Sequence, residues 1–211
     1  MIAAVIPTRY HPPQLAELLR VLIADGVEPI VLRSEVFDHR IYRMWNVGVE
    51  EARAKGADYI AVLNDDIQIP AGALIEMSAA LDEHPDIGVV YPDVRAHAYI
   101  SSRWTSDIER TTGTWGAGGM TGFCFMFRAA DPLPVFDENY HWWYGDDAWE
   151  RAVREAGYDV ARVVGVPIRH AANGSAGRDW ERLAPLIAQD RERWEERVAA
   201  YYTHTDAGRR E

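Results

Sequence analysis

Cysteine is almost absent from this chain. The single Cys124 lies inside the apolar run Phe123-Cys-Phe-Met-Phe127, so no internal disulfide framework can form and a buried structural thiol is expected. Positive charge is also scarce. Lys and Arg number 22 against 33 Asp and Glu, a net charge of −11. Such a chain repels polyanions unless a local basic groove intervenes, which disfavours generic nucleic-acid binding and favours a cation or a metal-neutralised phosphate as partner. No apolar run approaches the ~20 residues of a membrane span. The opening Met1-Ile-Ala-Ala-Val-Ile-Pro7 has no basic leader and is broken by Pro7, unlike a signal peptide. These absences predict a soluble, cytoplasmic protein. What is abundant is core-forming material: 48% hydrophobic residues and 8 Trp in 211 residues, enough for one large domain or one domain with an appendage.

The first half of the chain alternates strand and helix. Residues 2–6, 29–32, 59–63 and 87–91 read as short buried strands. Leu15, Leu18, Leu19 and Leu22 recur at a helical period over 14–24, 42–55 reads as a helix closed by Gly56, and Pro70 is placed in the first turn of a helix over 71–83. This rhythm predicts an α/β fold with a mostly parallel central sheet flanked by helices. In the second half, 93–115 reads as a polar and aromatic loop over the site, 123–127 and 160–166 as strands, and 148–156 as a helix. From 179 to 202, Trp180, Leu183, Ile187, Trp194, Val198 and Tyr201 mark one face of a C-terminal amphipathic helix. The division expected is a catalytic unit over 1–177 and a helical extension over 178–211, packing on the core or on a second subunit in a homodimer.

Polar residues gather where strands end. The strand Tyr59-Ile-Ala-Val-Leu63 stops at Asn64-Asp65-Asp66. Side chains at the carboxyl end of a buried strand in an open α/β sheet face the ligand crevice, and adjacent carboxylates invite a cation. A solvated acidic turn is the alternative. Pro7-Thr8-Arg9-Tyr10 follows the first strand and offers amides, a hydroxyl and a guanidinium to a nucleotide or its phosphates, or forms an ordinary turn. Asn46 inside a helix is mildly unfavourable, which gives its amide a job or a cap. Trp142-Trp143-Tyr144-Gly145-Asp146-Asp147 either caps a helix with two acids or sets aromatic sugar-binding faces beside a proton acceptor. His170 ends the last strand, where it is either structural or able to complete a metal site with Asp66.

The order and spacing of these residues resemble the family 2 glycosyltransferases, inverting enzymes of the Rossmann-like GT-A fold. Val5-Ile6-Pro7-Thr8-Arg9-Tyr10 is similar to that family's first strand and donor loop. Asn46-x-Gly48 and Leu63-Asn64-Asp65-Asp66-x-x-x-Pro70 resemble its central block with a DXD-type motif. Thr121-Gly122-Phe123 and Phe136-Asp137-Glu138 resemble the acceptor half, Gly145-Asp146-Asp147 the segment with the catalytic acid pair, and Ile168-Arg169-His170 the closing metal histidine. The resemblance spans residues 2 to 177.

It implies a nucleotide-sugar donor held by Mn2+ or Mg2+, with Asp66 and His170 as metal ligands. Pro7, Thr8, Arg9, Tyr10, Asn46, Asn64 and Asp65 would contact the donor. Gly119, Met120, Thr121, Trp143 and Tyr144 would contact the acceptor. Asp147, or else Asp146, would be the general base. The chain departs from the family in two places. Asn64 stands where an Asp is common, and Val31-Leu32-Arg33-Ser34-Glu35 lacks the acid that usually reads the nucleobase, unless Glu35 serves. The acceptor is open among a saccharide, a lipid-linked sugar, a small molecule, a protein and a modified nucleic-acid base. Two other functions compete: a nucleotidyltransferase, against which the absence of a Gly- and basic-rich phosphate loop counts, and a non-catalytic sugar- or nucleotide-binding module.

Overall fold

Apolar runs of five to seven residues fold here as strands buried on both faces. The computed structural model describes residues 1–93, 107–111, 119–170 and 179–207. The strands are β1 (Ile2–Thr8), β2 (Glu28–Arg33), β3 (Tyr59–Leu63), β4 (Ile67–Gln68), β5 (Ile87–Pro92), β6 (Ile108–Arg110), β7 (Cys124–Arg128), β8 (Asp159–Val163) and β9 (Arg169–His170). The helices are α1 (Pro13–Ala24), α2 (Ile41–Ala54), α3 (Ala73–Glu83), α4 (Gly145–Glu155) and α5 (Trp180–Ala207).

Seven strands form one sheet in the order β2-β1-β3-β7-β5-β8-β6, and β4 and β9 form a separate ribbon. The pairs β1–β2, β1–β3 and β5–β8 are parallel, whereas β7 is antiparallel to both β3 and β5 and β6 is antiparallel to β8. Five of the seven strands therefore run one way, as expected for a mostly parallel sheet, with β7 reversed at its centre. That reversal has a local effect: the loop entering β7 lies at the same edge as the exit of β3, and Asn64 donates its backbone N–H to the carbonyl of Phe123 at 2.9 Å.

The strands bury alternate residues in two layers, as period-2 geometry requires. Ala4, Ile6, Ala61, Leu63, Cys124 and Met126 face α1 and α3 through Leu18, Leu22, Leu74 and Met77. Ala3, Val5, Ile60, Val62, Phe125 and Phe127 face α2 and α4 through Trp45, Val49, Trp149 and Val153. Cys124 is fully buried, and that burial pushes its thiol pKa well up. Among the described residues no helix is long and apolar enough to cross a membrane.

Several expectations need correction. Pro70 does not open its helix: α3 starts at Ala73, after Gly72 in a left-handed conformation (φ 84) whose N–H is held by Asp25 Oδ2 at 2.7 Å. The helix expected from 148 begins at Gly145, so both acids lie within its first turn. The last long strand ends at Val163 and not at 166, with Gly165 turning the chain at φ 84. Within 93–115 the chain forms β6, while 94–106 and 112–115 fall outside the described residues, as do 171–177. Finally, α5 buries Leu183, Ile187 and Asp190 against the rest of the chain, whereas Trp180 is 53% exposed.

Candidate functional site

The ribbon β4–β9 pairs Ile67 with His170 and Gln68 with Arg169. It thereby brings the histidine back to the acids that end β3. Nε2 of His170 lies 3.1 Å from Oδ1 of Asp66 and 3.3 Å from Nδ2 of Asn64. The imidazole stacks on Phe123 at 4.5 Å and 12°, which fixes its plane. Oδ1 of Asp66 is buried and accepts no hydrogen bond among the described residues. A ring nitrogen and a carboxylate oxygen this close, without a hydrogen bond between them, form a donor pair for a cation. Among the described residues no cluster of three or more His, Cys, Asp or Glu is arranged to hold a metal. Two protein donors are too few to enclose an ion, so a divalent cation placed here would need further oxygens from a ligand or from water.

Asp65 points the other way. Its buried carboxylate accepts the Thr8 hydroxyl at 2.6 Å and so ties the end of β1 to the end of β3. Burial raises its pKa, with the Asp66 charge adding to the effect and the Thr8 bond opposing it. Pro7, Thr8 and Arg9 are buried and Tyr10 is exposed. Nη2 of Arg9 lies 2.7 Å from Oδ2 of Asp179, the residue preceding α5, and the Tyr10 hydroxyl also bonds that carboxylate.

The aromatic segment is held from three sides. Tyr144 adopts φ 65, uncommon for a residue with a side chain, and caps α4. Gly145 then passes so close to Tyr42 that a Cβ would sit 2.3 Å from the ring, while its N–H bonds the Tyr42 hydroxyl at 2.9 Å. From α5 the fully buried Asp190 accepts the backbone N–H groups of His141, Trp142 and Trp143 at 2.9, 2.7 and 3.0 Å. The Tyr144 ring stacks on Trp194 at 6.2 Å.

The two acids of α4 differ in their surroundings. Asp146 has Tyr42 beside it, and a Cβ on Gly122 would collide with its carboxylate at 1.9 Å. Burial raises its pKa, against nearby backbone N–H groups that lower it. Among the described residues Asp147 has no such tether. Burial, then the charges of Asp146 and Glu150, push it up to about 7. Glu150, one turn along α4, accepts the Met120 N–H at 2.6 Å and pairs with Arg154 at 2.6 Å. A Cβ on Gly119 would lie 2.9 Å from Glu150 and 3.7 Å from Asp147, so Gly119 and Met120 run directly against the acids. The Thr121 hydroxyl bonds the Cys124 carbonyl at 3.1 Å, closing the turn into β7.

A cleft of about 340 Å³ joins these parts. Asn64, Phe123 and His170 line it together with Trp143, Tyr144, Asp146 and Asp147. Asn46 is not brought there. Its amide is spent on the backbone N–H and carbonyl of Phe136, at 2.9 and 3.0 Å, beside a separate cavity of about 260 Å³. Sequence reading missed Tyr42, Glu150, Asp179 and Asp190. Asp190 left a signal: it falls in helical register with Leu183, Ile187 and Trp194, an acid on an apolar stripe, which is tolerated only where hydrogen bonds satisfy it.

No family model matches the sequence, and neither does any curated protein. Solved structures do share its fold. S. aureus TarS 1–349 superposes with a TM-score of 0.57 at 14% identity, over 89% of this chain and 64% of that one. A mutant of Drosophila β-1,4-galactosyltransferase 7, in complex with manganese, UDP-Gal and xylobiose, gives 0.51 at 19% identity, over 86% of this chain and 72% of that one. The protein A197 from STIV gives 0.54 at 13% identity, over 80% and 84%. The Drosophila neighbour is a galactosyltransferase by name, and the present chain shares the GT-A fold. In a longer TarS structure it spans only 34% of the neighbour's chain.

Proposed function

We propose that the protein is a metal-dependent inverting glycosyltransferase that moves a hexosyl group from a nucleotide sugar to an acceptor hydroxyl. The observation carrying this reading is the single cleft with Asn64 and His170 among its lining and Asp147 among aromatics. Manganese and UDP-Gal in the Drosophila neighbour agree with it. Residues 1–177 supply the reacting groups and α5 braces them.

Asp66 and His170 would hold the divalent ion, which when bound offsets charge on the departing diphosphate. Thr8, Arg9, Tyr10 and Asn64 position the donor. Trp143 and Tyr144 offer ring faces to an acceptor sugar, while Gly119 and Met120 run against the acids of α4 and Thr121 closes the turn into β7. Asp147 takes the proton from the acceptor hydroxyl. That oxygen bonds the anomeric carbon as the bond from this carbon to the diphosphate oxygen breaks, so configuration inverts in one displacement without a covalent enzyme intermediate. A base with a pKa close to 7 suits this task at neutral pH.

The test is Asp147→Asn assayed against a panel of nucleotide sugars. Transfer should fall by about 10²–10⁴-fold while manganese-dependent nucleotide binding persists. Undiminished turnover overturns the assignment of the base, and release of diphosphate from a nucleoside triphosphate by the wild type would favour nucleotidyl transfer instead.

A further inference from the structure

Three acids crowd the first two turns of α4: Asp146, Asp147 and, one turn on, Glu150. Residues three and four apart on a helix are neighbours, and like charges there repel. Glu150 is only 4% exposed, so water and salt do little to screen that repulsion. Its carboxylate is nonetheless held at both oxygens. Oε2 accepts the Met120 N–H at 2.6 Å, and Oε1 accepts Nη2 and Nε of Arg154 at 2.6 and 3.1 Å. Nη2 of Arg154 also donates to the Thr111 hydroxyl at 2.9 Å, and that hydroxyl bonds the Val160 carbonyl at 3.1 Å. The arginine is thereby anchored at the start of β8.

The bond to Met120 brings the backbone at 119–120 up to Asp147. So close an approach requires a glycine. A Cβ at Gly119 would stand 2.9 Å from Oε2 of Glu150 and 3.7 Å from Oδ1 of Asp147. Both carboxylates therefore flank one residue, whose backbone takes the place of water on that side of Asp147.

A tether alone does not call for a charge. A glutamine could accept the same N–H without repelling Asp146 and Asp147. What the carboxylate adds is a fixed negative charge beside Asp147. The other titratable groups around that acid are Asp146 on its own helix, Tyr144 just before it and, from other elements lining the cleft, Tyr42 of α2 and His170 of β9.

We propose that Glu150 is a positioning residue for the transfer proposed above: it draws the Gly119–Met120 backbone against Asp147 and sets a second, arginine-anchored carboxylate beside it. Exclusion of water and a like charge both favour the protonated acid, so together they make Asp147 a stronger acceptor for the hydroxyl proton. The inference rests on the reading of Asp147 as the base, and two measurements separate their failures.

The Asp147 carboxyl carbon is titrated by NMR in the intact chain, its signal assigned by its loss in Asp147→Asn, and kcat/KM for transfer is measured over the same pH range. In folded Glu150→Gln both midpoints should fall by about one pH unit. The amide keeps the Met120 bond, removes the charge and leaves Arg154 uncompensated. Glu150→Ala, which also releases Met120, should lower them at least as far. A purely structural brace would leave the glutamine midpoint at the wild-type value, and that result overturns the proposal. A fall in the carbon midpoint in a protein that transfers no sugar overturns the transferase reading alone.

Discussion

Oδ2 of Asp190 accepts the backbone N–H of Trp142 at 2.7 Å, although 48 positions separate the two residues. A helix at the end of the chain therefore sets the conformation of the segment that delivers Tyr144 and the acids of α4. Removing this carboxylate leaves three backbone donors without their acceptor. Asp190→Ala should cost about 3 kcal/mol or more, read as a lower urea midpoint at constant slope. Asp190→Asn, which keeps an acceptor oxygen, should recover part of the loss. A midpoint unmoved by the alanine would show that the clamp is dispensable.

Asp147 predicts two pH effects of opposite sign. Its folded pKa, about 7, lies above the ordinary value, so the folded state holds the proton more tightly than the unfolded chain. That stabilisation is complete below about pH 4 and fades as pH rises through 7. The unfolding temperature of the wild type should therefore decline from pH 5 to 8 more than that of Asp147→Asn. Turnover needs the deprotonated acid and should climb about tenfold per pH unit below 7 before levelling. A flat rate profile between pH 5 and 8 would exclude this acid as the base.

The pairing of Asp66 with His170 predicts linked losses. With nucleoside diphosphate at about 100 times its dissociation constant, binding adds about 2.7 kcal/mol of stability. Asp66→Ala and His170→Ala should each abolish most of the manganese-dependent part of that gain, as should chelation of the metal in the wild type. Thermal shifts with and without manganese read this directly. Persistence of the full metal-dependent shift in both variants would refute the ligand assignment.

Gly145 tests the packing behind the acids. Gly145→Ala drives a methyl into the Tyr42 ring, an overpacking expected to cost about 1–3 kcal/mol and to displace Asp146 and Asp147. Double-mutant analysis with Tyr42→Ala should show strong coupling, because the smaller side chain makes room. Additive effects would place the strain elsewhere.

Strands were legible because their residues are apolar on both faces: β3 begins and ends where its hydrophobic run does. The convergence of Asp66 and His170 was suggested by a family likeness, but the agent is a ribbon of two-residue strands, too short for any periodicity to register. Asn46 misled because an amide inside a helix has two uses, and here it fastens a distant backbone. Asp179 and Asp190 were hidden for a different reason. Both act through contacts across long stretches of chain, and local pattern carries no record of which backbone N–H or guanidinium an acid will meet.

The place of α5 bears on how this fold could be divided. Its residues brace the aromatic segment through Asp190 and stand on Arg9 through the preceding Asp179. Grafting a different tail after residue 177 would therefore exchange more than a handle: it would remove the acceptor for three backbone N–H groups and the ion-pair partner of a buried arginine at once. Variation in that helix offers a route by which chains sharing one sheet could diverge around the aromatic segment, while the strand ends that carry Asp66 and His170 stay as they are.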